Sequence, residues 1–381
     1  MAFLLYCEIG DKTFRDPLDL IRTNKLSEVA DCFDRLEAAS QHGFYLAGFL
    51  SYEAGSAFEP LLQKKDEFDF PLLSFGVYKK PQKVTQNSPH LSMGNNYLNY
   101  EKNEWNLTKD AYYNKIKKIH GYIAAGDTYQ ITFCAKQKFN YSGSPYLLYQ
   151  NLLSYQAVPY PAFISHDDLF ILSLSPEMFL HKKGGTITTK PMKGTLLRDG
   201  RVFNDLFGRW QLHYDPKNRA ENIMITDLLR NDLGRICHYG SVRTLRLYEV
   251  AKYRTVYQMT STVQGELKDQ KIKYYDIFKA LFPSGSVTGA PKIRAMQIIR
   301  ELEPEERRIY TGAIGYITPE REMFFNIPIR TLLLRERQGS QGGEGRSRDG
   351  EMGVGGGITW YSTPEGEYEE CLVKSRFLDM I

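Results

Sequence analysis

The sequence predicts a protein of mixed strands and helices with a sheet-rich core. Three observations support this. Short runs of apolar and polar residues alternate along the chain, closed by Gly, Pro or Asn. Longer stretches place apolar residues at helical spacing behind Ser, Thr or Asp caps. Tyrosine (26 residues) and phenylalanine (21) are plentiful, as pleated, half-buried surfaces favour.

Residues 1–100 mix short apolar runs with turns, and residues 44–60 (FYLAGFLSYEAGSAFEP) read as a strand followed by a loop. Residues 80–98 are polar and hold Pro, Asn and Gly, which marks a loop or boundary. The expected division is an N-terminal segment, 1–100, belonging to the same lobe-like fold, and a main unit, 101–381. Thr108 caps a predicted helix running to about Ala125, with Tyr113, Ile116, Ile119 and Ile123 as its apolar stripe and Gly126 as its stop. Its Lys115, Lys117 and Lys118 read as a solvated face. Residues 126–139 (GDTYQITFCAKQKF) alternate, with Tyr129, Ile131 and Phe133 on one face and Gln130 and Thr132 on a polar face where solvent exposure is the expectation.

Leu172 to His181 reads as one strand, Gly184–Gly185 as a tight turn, and Thr186 to Lys190 as the returning strand. Lys193 then falls just past the strand end, beside Gly194, and Glu177 on the outgoing arm can lie across from it. A carboxyl group facing a lysine is an acid and nucleophile pair in waiting; a surface ion pair is the plainer alternative.

Asp215–Pro216 opens a helix that Gly234 closes, with Ile223, Ile225, Leu228, Leu229 and Ile236 as apolar positions. Glu221 lies in its early turns, where the dipole favours a carboxylate, and Arg230 with Asp232 reads as a structural ion pair. Residues 253–267 read as a strand. In residues 281–302 a Ser/Gly/Thr loop feeds a helix at Pro291, so Ser286, Thr288 and free amides read equally as an anion-receptive corner or as helix capping without a ligand, and the spacing is not that of a phosphate P-loop. Residues 307–317 and 324–334 read as strands. Arg330 on the second needs a partner if buried, and Pro328 predicts an edge or bulge there. Residues 335–352 read as a flexible linker or a long hairpin loop. The glycines of GVGGGITWYS (353–362) precede the strand-like ITWYS, which defeats a dinucleotide-binding reading but lets amides approach a ligand. Ser362 caps a last helix on which Glu367 and Glu370 share a face and Lys374 follows Glu370 by four, a spacing that by itself reads as a helix-surface salt bridge. A few carboxylates with water are what a magnesium ion takes.

Taken in order, GDTYQITF, SLSPEMF, PMKGT, AENIMITDLLRNDLGRI, SGSVTGAPKIRAMQII, YTGAIGY, FNIPIRT and GVGGGI followed by EYEECLVKSR resemble the chorismate-utilising enzymes over roughly residues 108–381. The resemblance implies an α+β fold of packed antiparallel sheets with helices outside. The lysine of PMKGT, where anthranilate synthases carry alanine, indicates the branch that aminates chorismate at C4. Gln258, where anthranilate synthases carry histidine, and the lack of an LLES string point the same way; Met192 replaces the usual isoleucine.

The resemblance further implies site roles. Glu221 and Glu370, with Glu367 nearby, hold Mg²⁺ against the ring carboxylate. Arg330 and Tyr310 hold the enolpyruvyl carboxylate. Ser286, Gly194, Thr195, Gly355, Gly357 and Gln130 line the substrate. Glu177 protonates the departing hydroxyl, and Lys193 attacks C2 as an uncharged amine, which an ordinary lysine at neutral pH is not. Ammonia then displaces the lysine. No glutaminase nucleophile motif is evident, so ammonia is expected from a separate glutamine amidotransferase subunit, and the lyase that follows from another protein. Anthranilate synthase, isochorismate synthase and a non-catalytic chorismate-binding protein are the alternatives.

A net charge of +4 without long basic runs gives no reason to expect nucleic acid. Five scattered cysteines without a CxxC predict a reduced, cytoplasmic protein without disulfides or zinc, and no apolar run reaches membrane length.

Overall fold

A computed structural model describes residues 5–83, 99–197, 202–252, 256–337 and 347–376. These residues build two ten-stranded antiparallel sheets flanked by helices. Side-chain alternation explains the layering. Ile171 and Leu333 point between the sheets, where they meet Cys7, Ile9, Ala47, Phe49 and Ile314. Their neighbours Leu172, Leu332 and Leu334 point the other way, onto the outer helices. The order is therefore helix, sheet, sheet, helix, each buried aliphatic side chain contributing about 1.5–3 kcal/mol. The α+β expectation holds. Leu5–Ile9 pairs with Tyr160–His166 in one sheet, and Tyr45–Leu50 with Ala313–Ile317 in the other. Among the described residues no helix is long and apolar enough to cross a membrane, and all five cysteines are free and buried.

The elements around the site are labelled in chain order. The first sheet contains β1 (Gln130–Ser142), β2 (Leu169–Ser175), β9 (Thr331–Glu336) and β10 (Ser347–Ile358). The second contains β3 (Met178–Lys183), β4 (Thr186–Lys190), β5 (Met192–Leu197), β6 (Arg243–Lys252), β7 (Val256–Glu266) and β8 (Met323–Asn326). The helices are α1 (Lys109–Ala124), α2 (Val202–Tyr214), α3 (Pro216–Gly234), α4 (Lys292–Leu302) and α5 (Pro364–Ser375).

Several caps are where the sequence puts them. Thr108 accepts from the Ala111 amide on α1, and Asp215 accepts from Asn218 at 2.7 Å on α3, with Pro216 in the first turn. Tyr112 rather than Tyr113 is the fully buried tyrosine of α1.

Two predicted strands are each two strands in different sheets. Residues 172–181 break at Pro176–Glu177, between β2 and β3, and residues 324–334 break at 327–330, between β8 and β9. The two breaks lie side by side. Leu174 N donates to Arg330 O and Ile327 N to Glu177 O, both at 3.0 Å, and the Ser175 hydroxyl donates to Ile327 O at 2.5 Å. A two-stranded ribbon thus passes from one sheet to the other. Pro176 and Pro328 fall at the break, where no ladder amide is missed, and Arg330 adopts a left-handed backbone with φ of 50°.

The glycine-rich run is also placed differently. Gly353, Gly355, Gly356 and Gly357 lie inside β10, paired along their length with β1, and ITWYS turns away after Ile358. β9 and β10 pair antiparallel as the two arms of a hairpin, as the loop alternative for 335–352 expects, although residues 347–352 already belong to β10; residues 338–346 lie outside the described residues, as do 84–98 of the boundary expected at 80–98. Residues 307–312 form turns, and the strand is Ala313–Ile317. Arg230 pairs with Asp227, while Asp232 takes Lys292 Nζ at 2.5 Å in the interior. Ile223 is exposed; Asn222, Thr226 and Asp232 are buried in its stead.

Candidate active site

Lys193 is inside β5, not beyond a strand end. Met192 pairs with Thr260 and Thr195 with Gln258, so Lys193 and Gly194 together oppose Met259 alone. Such a bulge re-aims a side chain. Gly194 takes a φ of 90°, and a Cβ there would stand 3.0 Å from Asn218 Oδ1 and 3.2 Å from Leu212 Cδ1. The left-handed angle favours glycine, and a larger residue would also have to push the Asn218 and Leu212 side chains aside.

Glu177, at the crossover, is 3% exposed. Its Oε1 accepts from the Met192 amide at 3.3 Å, and its carboxyl is hydrogen-bonded by Ser286. Burial pushes its pKa up to about 7, while the Ser286 hydroxyl, the nearby Lys193 and the Met192 amide pull the other way. The carboxyl therefore keeps a large protonated fraction at neutral pH beside the amine.

Gln130 corrects the expectation of a solvent-facing amide. It opens β1, is 0% exposed, and neither its Nε2 nor its Oε1 has a hydrogen-bond partner. Tyr129 is the exposed residue of the pair, because the strand is covered on both faces. A Cβ on Gly357 would lie 2.0 Å from Gln130 Nε2 and 3.4 Å from Lys193 Nζ. The missing side chain thus leaves a cradle lined by an orphaned carboxamide and an amine. An unpaired buried amide costs about 1–3 kcal/mol, which a polar ligand would recover.

The three glutamates come from two helices. Glu367 is fixed by Ser362, whose hydroxyl donates to Oε1 at 2.6 Å; Thr363, not Ser362, caps α5. Glu370 Oε1 meets Lys374 Nζ at 2.7 Å, and that ammonium also donates to Gly355 O at 2.8 Å. A Cβ on Gly356 would stand 2.9 Å from Glu367 Oε2 and 3.7 Å from Glu370 Oε1. Burial raises the Glu221 pKa, with Lys193 and Lys217 opposing and Glu370 adding to it. Burial raises Glu367 as well, against the Ser362 hydrogen bond. Burial also presses on Glu370, but Lys374, Lys217 and Lys193 hold it below its ordinary value.

No three His, Cys, Asp or Glu side chains among the described residues converge closely enough to enclose a metal ion. Glu370 nevertheless acts electrostatically on both Glu221 and Glu367, and all three offer only oxygen donors. Magnesium, which binds through one or two carboxylates and keeps several waters, fits this set.

Other expected residues sit differently. Ser286 spends its hydroxyl on Glu177 and on Ser284 Oγ at 3.0 Å, and buried Thr288 donates to Ser284 O. The corner ahead of α4 is therefore an internal brace for Glu177, not a free anion nest. Tyr310 is buried with its hydroxyl hydrogen-bonded to Cys134, and its ring fills the space above Gly353, where a Cβ would lie 2.3 Å away. Cys134 is opposite Gly355 in the β1–β10 ladder, so Tyr310 flanks the glycine strand. Arg330 lies at the crossover, where its carbonyl accepts from Leu174 N, and the Thr195 backbone continues β5. Lys217 and Asn218 were not read from the sequence as part of the site. The signal was there: Lys217 precedes Glu221 by four, on the same face of α3.

Comparison with known proteins gives the family. The model for chorismate binding enzymes matches residues 7–379. Over 269 residues the chain is 39% identical to aminodeoxychorismate synthase component 1 of Bacillus subtilis (strain 168), covering 71% of this chain and 55% of that protein. It is 33% identical over 350 residues to aminodeoxychorismate synthase component 1 of Klebsiella aerogenes, covering 86% and 74%. The chain thus spans about half to three-quarters of these relatives. Anthranilate synthase component I from Streptococcus pneumoniae TIGR4 superposes with a TM-score of 0.76 at 26% identity, covering 97% of this chain and 91% of that one. With a nearly full-length match and the fold in agreement, the chain belongs to the family of chorismate-binding enzymes.

Proposed function

We propose that this chain is the chorismate-aminating component of an aminodeoxychorismate synthase. One observation carries the reading: a buried glutamic acid, Glu177, titrating near neutral pH within electrostatic reach of Lys193 on a bulged strand. Glu177 gives its proton to the C4 hydroxyl, which leaves as water. Lys193 bonds to C2 through its amine nitrogen as both double bonds of the ring diene shift toward C4. Ammonia then bonds to C4, both double bonds shift back, the C2–N bond breaks to release Lys193, and the Glu177 carboxylate recovers a proton from the new ammonium. Chorismate and ammonia become 4-amino-4-deoxychorismate and water. The guanidinium of Arg330 suits bidentate capture of the enolpyruvyl carboxylate. The amide of Gln130 offers a donor and an acceptor to the ligand in the Gly357 cradle. Magnesium held by Glu221 and Glu370, with Glu367 beside them, would neutralise the ring carboxylate. A separate glutamine amidotransferase subunit supplies the ammonia.

The test is the mass of the product formed from chorismate and ammonium, with and without Mg²⁺. An amino group in place of the hydroxyl, with the enolpyruvyl group kept, is expected. Release of pyruvate would assign anthranilate-type chemistry, and a product isomeric with chorismate the isochorismate type; either would overturn the reading.

A further inference from the structure

Helix α2 buries one side and leaves an aromatic ladder on the other. Phe207, Trp210 and Tyr214 follow at i, i+3 and i+7, each more than half exposed. Their rings touch in sequence, Phe207 stacked on Trp210 with centroids 6.1 Å apart and Trp210 tilted against Tyr214 at 4.9 Å. Beside them runs β6, which pairs only with β7 among the described residues and so presents a free edge. Its Leu245 and Leu247 are exposed as well. Between helix and strand lies an open groove of about 590 Å³, lined by Arg209, Trp210, His213, Tyr214, Arg246 and Tyr248 among others. Exposed apolar side chains in one contiguous patch mark an interaction site, and Trp, Tyr and Arg dominate the energetics of such sites.

The inner side of α2 rests on the catalytic strand. A Cβ on Gly208 would be 3.2 Å from Leu196 Cδ2, and Leu212 packs against Gly194, the bulge residue after Lys193. One helix, about 10 Å thick, therefore separates the aromatic ladder from the nucleophile strand.

Charge selects the occupant. Arg209, Arg243 and Arg246 are exposed on this face, and the one acidic group there among the described side chains, Glu249, is already paired with Arg246 at 2.6 Å and Lys190 at 3.6 Å. A second copy of the chain would set arginine against arginine. An acidic partner surface with an apolar centre complements the face.

We infer that the α2–β6 face docks the ammonia-supplying subunit through an acidic, apolar-centred surface, which places the ammonia source one helix away from Lys193. The inference rests on the aminating reading above. Its test uses the full chain with a purified aminodeoxychorismate synthase amidotransferase subunit, and compares glutamine-dependent with ammonium-dependent turnover. The exposed pairs Trp210→Ala with Tyr214→Ala, and Arg209→Glu with Arg246→Glu, should each weaken partner affinity by about 30-fold or more, the size expected for interface hot spots. Ammonium-dependent turnover should stay within about twofold of the parent, since surface substitutions of this kind barely disturb the fold. Trp360→Ala with Tyr361→Ala removes another exposed aromatic pair and should leave the partner bound. Unchanged affinity in both α2–β6 variants, or loss confined to the Trp360 and Tyr361 variant, would overturn the inference. So would a parent chain that uses ammonium but no glutamine with the subunit present. Absence of ammonium-dependent turnover in the parent would instead sink the aminating reading itself.

Discussion

Glu177→Gln should make the protein less active and more stable at once. Glu177 is 3% exposed with a pKa near 7, against an ordinary value of 4.5. Because the folded value lies above the unfolded one, the folded state holds its proton longer. Stability therefore falls as pH climbs from about 4.5 to 7, and the full cost is present above 7. At about 1.36 kcal/mol per pH unit, the displacement costs about 3 kcal/mol, most of it between pH 5 and pH 8. Glutamine has the same shape, can accept from the Met192 amide, and has no proton to lose. With about 2.1 cal/mol/K per residue over 381 residues, the variant should gain about 3 °C in melting temperature relative to the parent between pH 5 and pH 8. Turnover with ammonium should fall by about 10²–10⁴-fold, the usual contribution of a positioned acid. Thermal melts across pH and steady-state rates measure both. A parent-minus-variant difference that does not grow with pH would refute the assignment of a buried, near-neutral carboxyl at this position.

Three further outcomes are expected. Lys193→Ala should abolish the covalent adduct in mass spectra of chorismate-treated protein, and full amination by that variant would exclude the nucleophile role. Glu370→Gln should shift the magnesium titration to higher concentration, while an unmoved titration would exclude Glu370 as a ligand. Asp232→Asn should destabilise the fold by about 3–5 kcal/mol, because Lys292 would keep a buried charge without its carboxylate; a denaturation midpoint close to the parent's would mean that Lys292 finds another acceptor.

Much of the local structure was legible because its causes are local. Thr108 and Asp215 cap their helices by bonding amides three residues on, and Gly126 and Gly184 take left-handed angles that stop a helix and turn a hairpin. Glu367, Glu370 and Lys374 share a face of α5 because 3.6 residues make a turn. The family follows from the order of short blocks, each of which survives without knowledge of the others.

What escaped the sequence depends on partners distant along the chain. Gln130 alternates like a surface residue, yet β10 and the Gly289–Ala290 strand flank β1 and bury it. The strands at 172–181 and 324–334 look continuous because both halves are apolar; only their mutual pairing shows that each changes sheet at its proline. Lys193 looked like a residue beyond a strand, since a bulge is defined by the opposing strand, here β7. Local spacing thus determined caps, turns, helix faces and the candidate residues themselves. Tertiary pairing decided which of those residues meet, because register and burial belong to contacts between strands that the chain brings together only on folding.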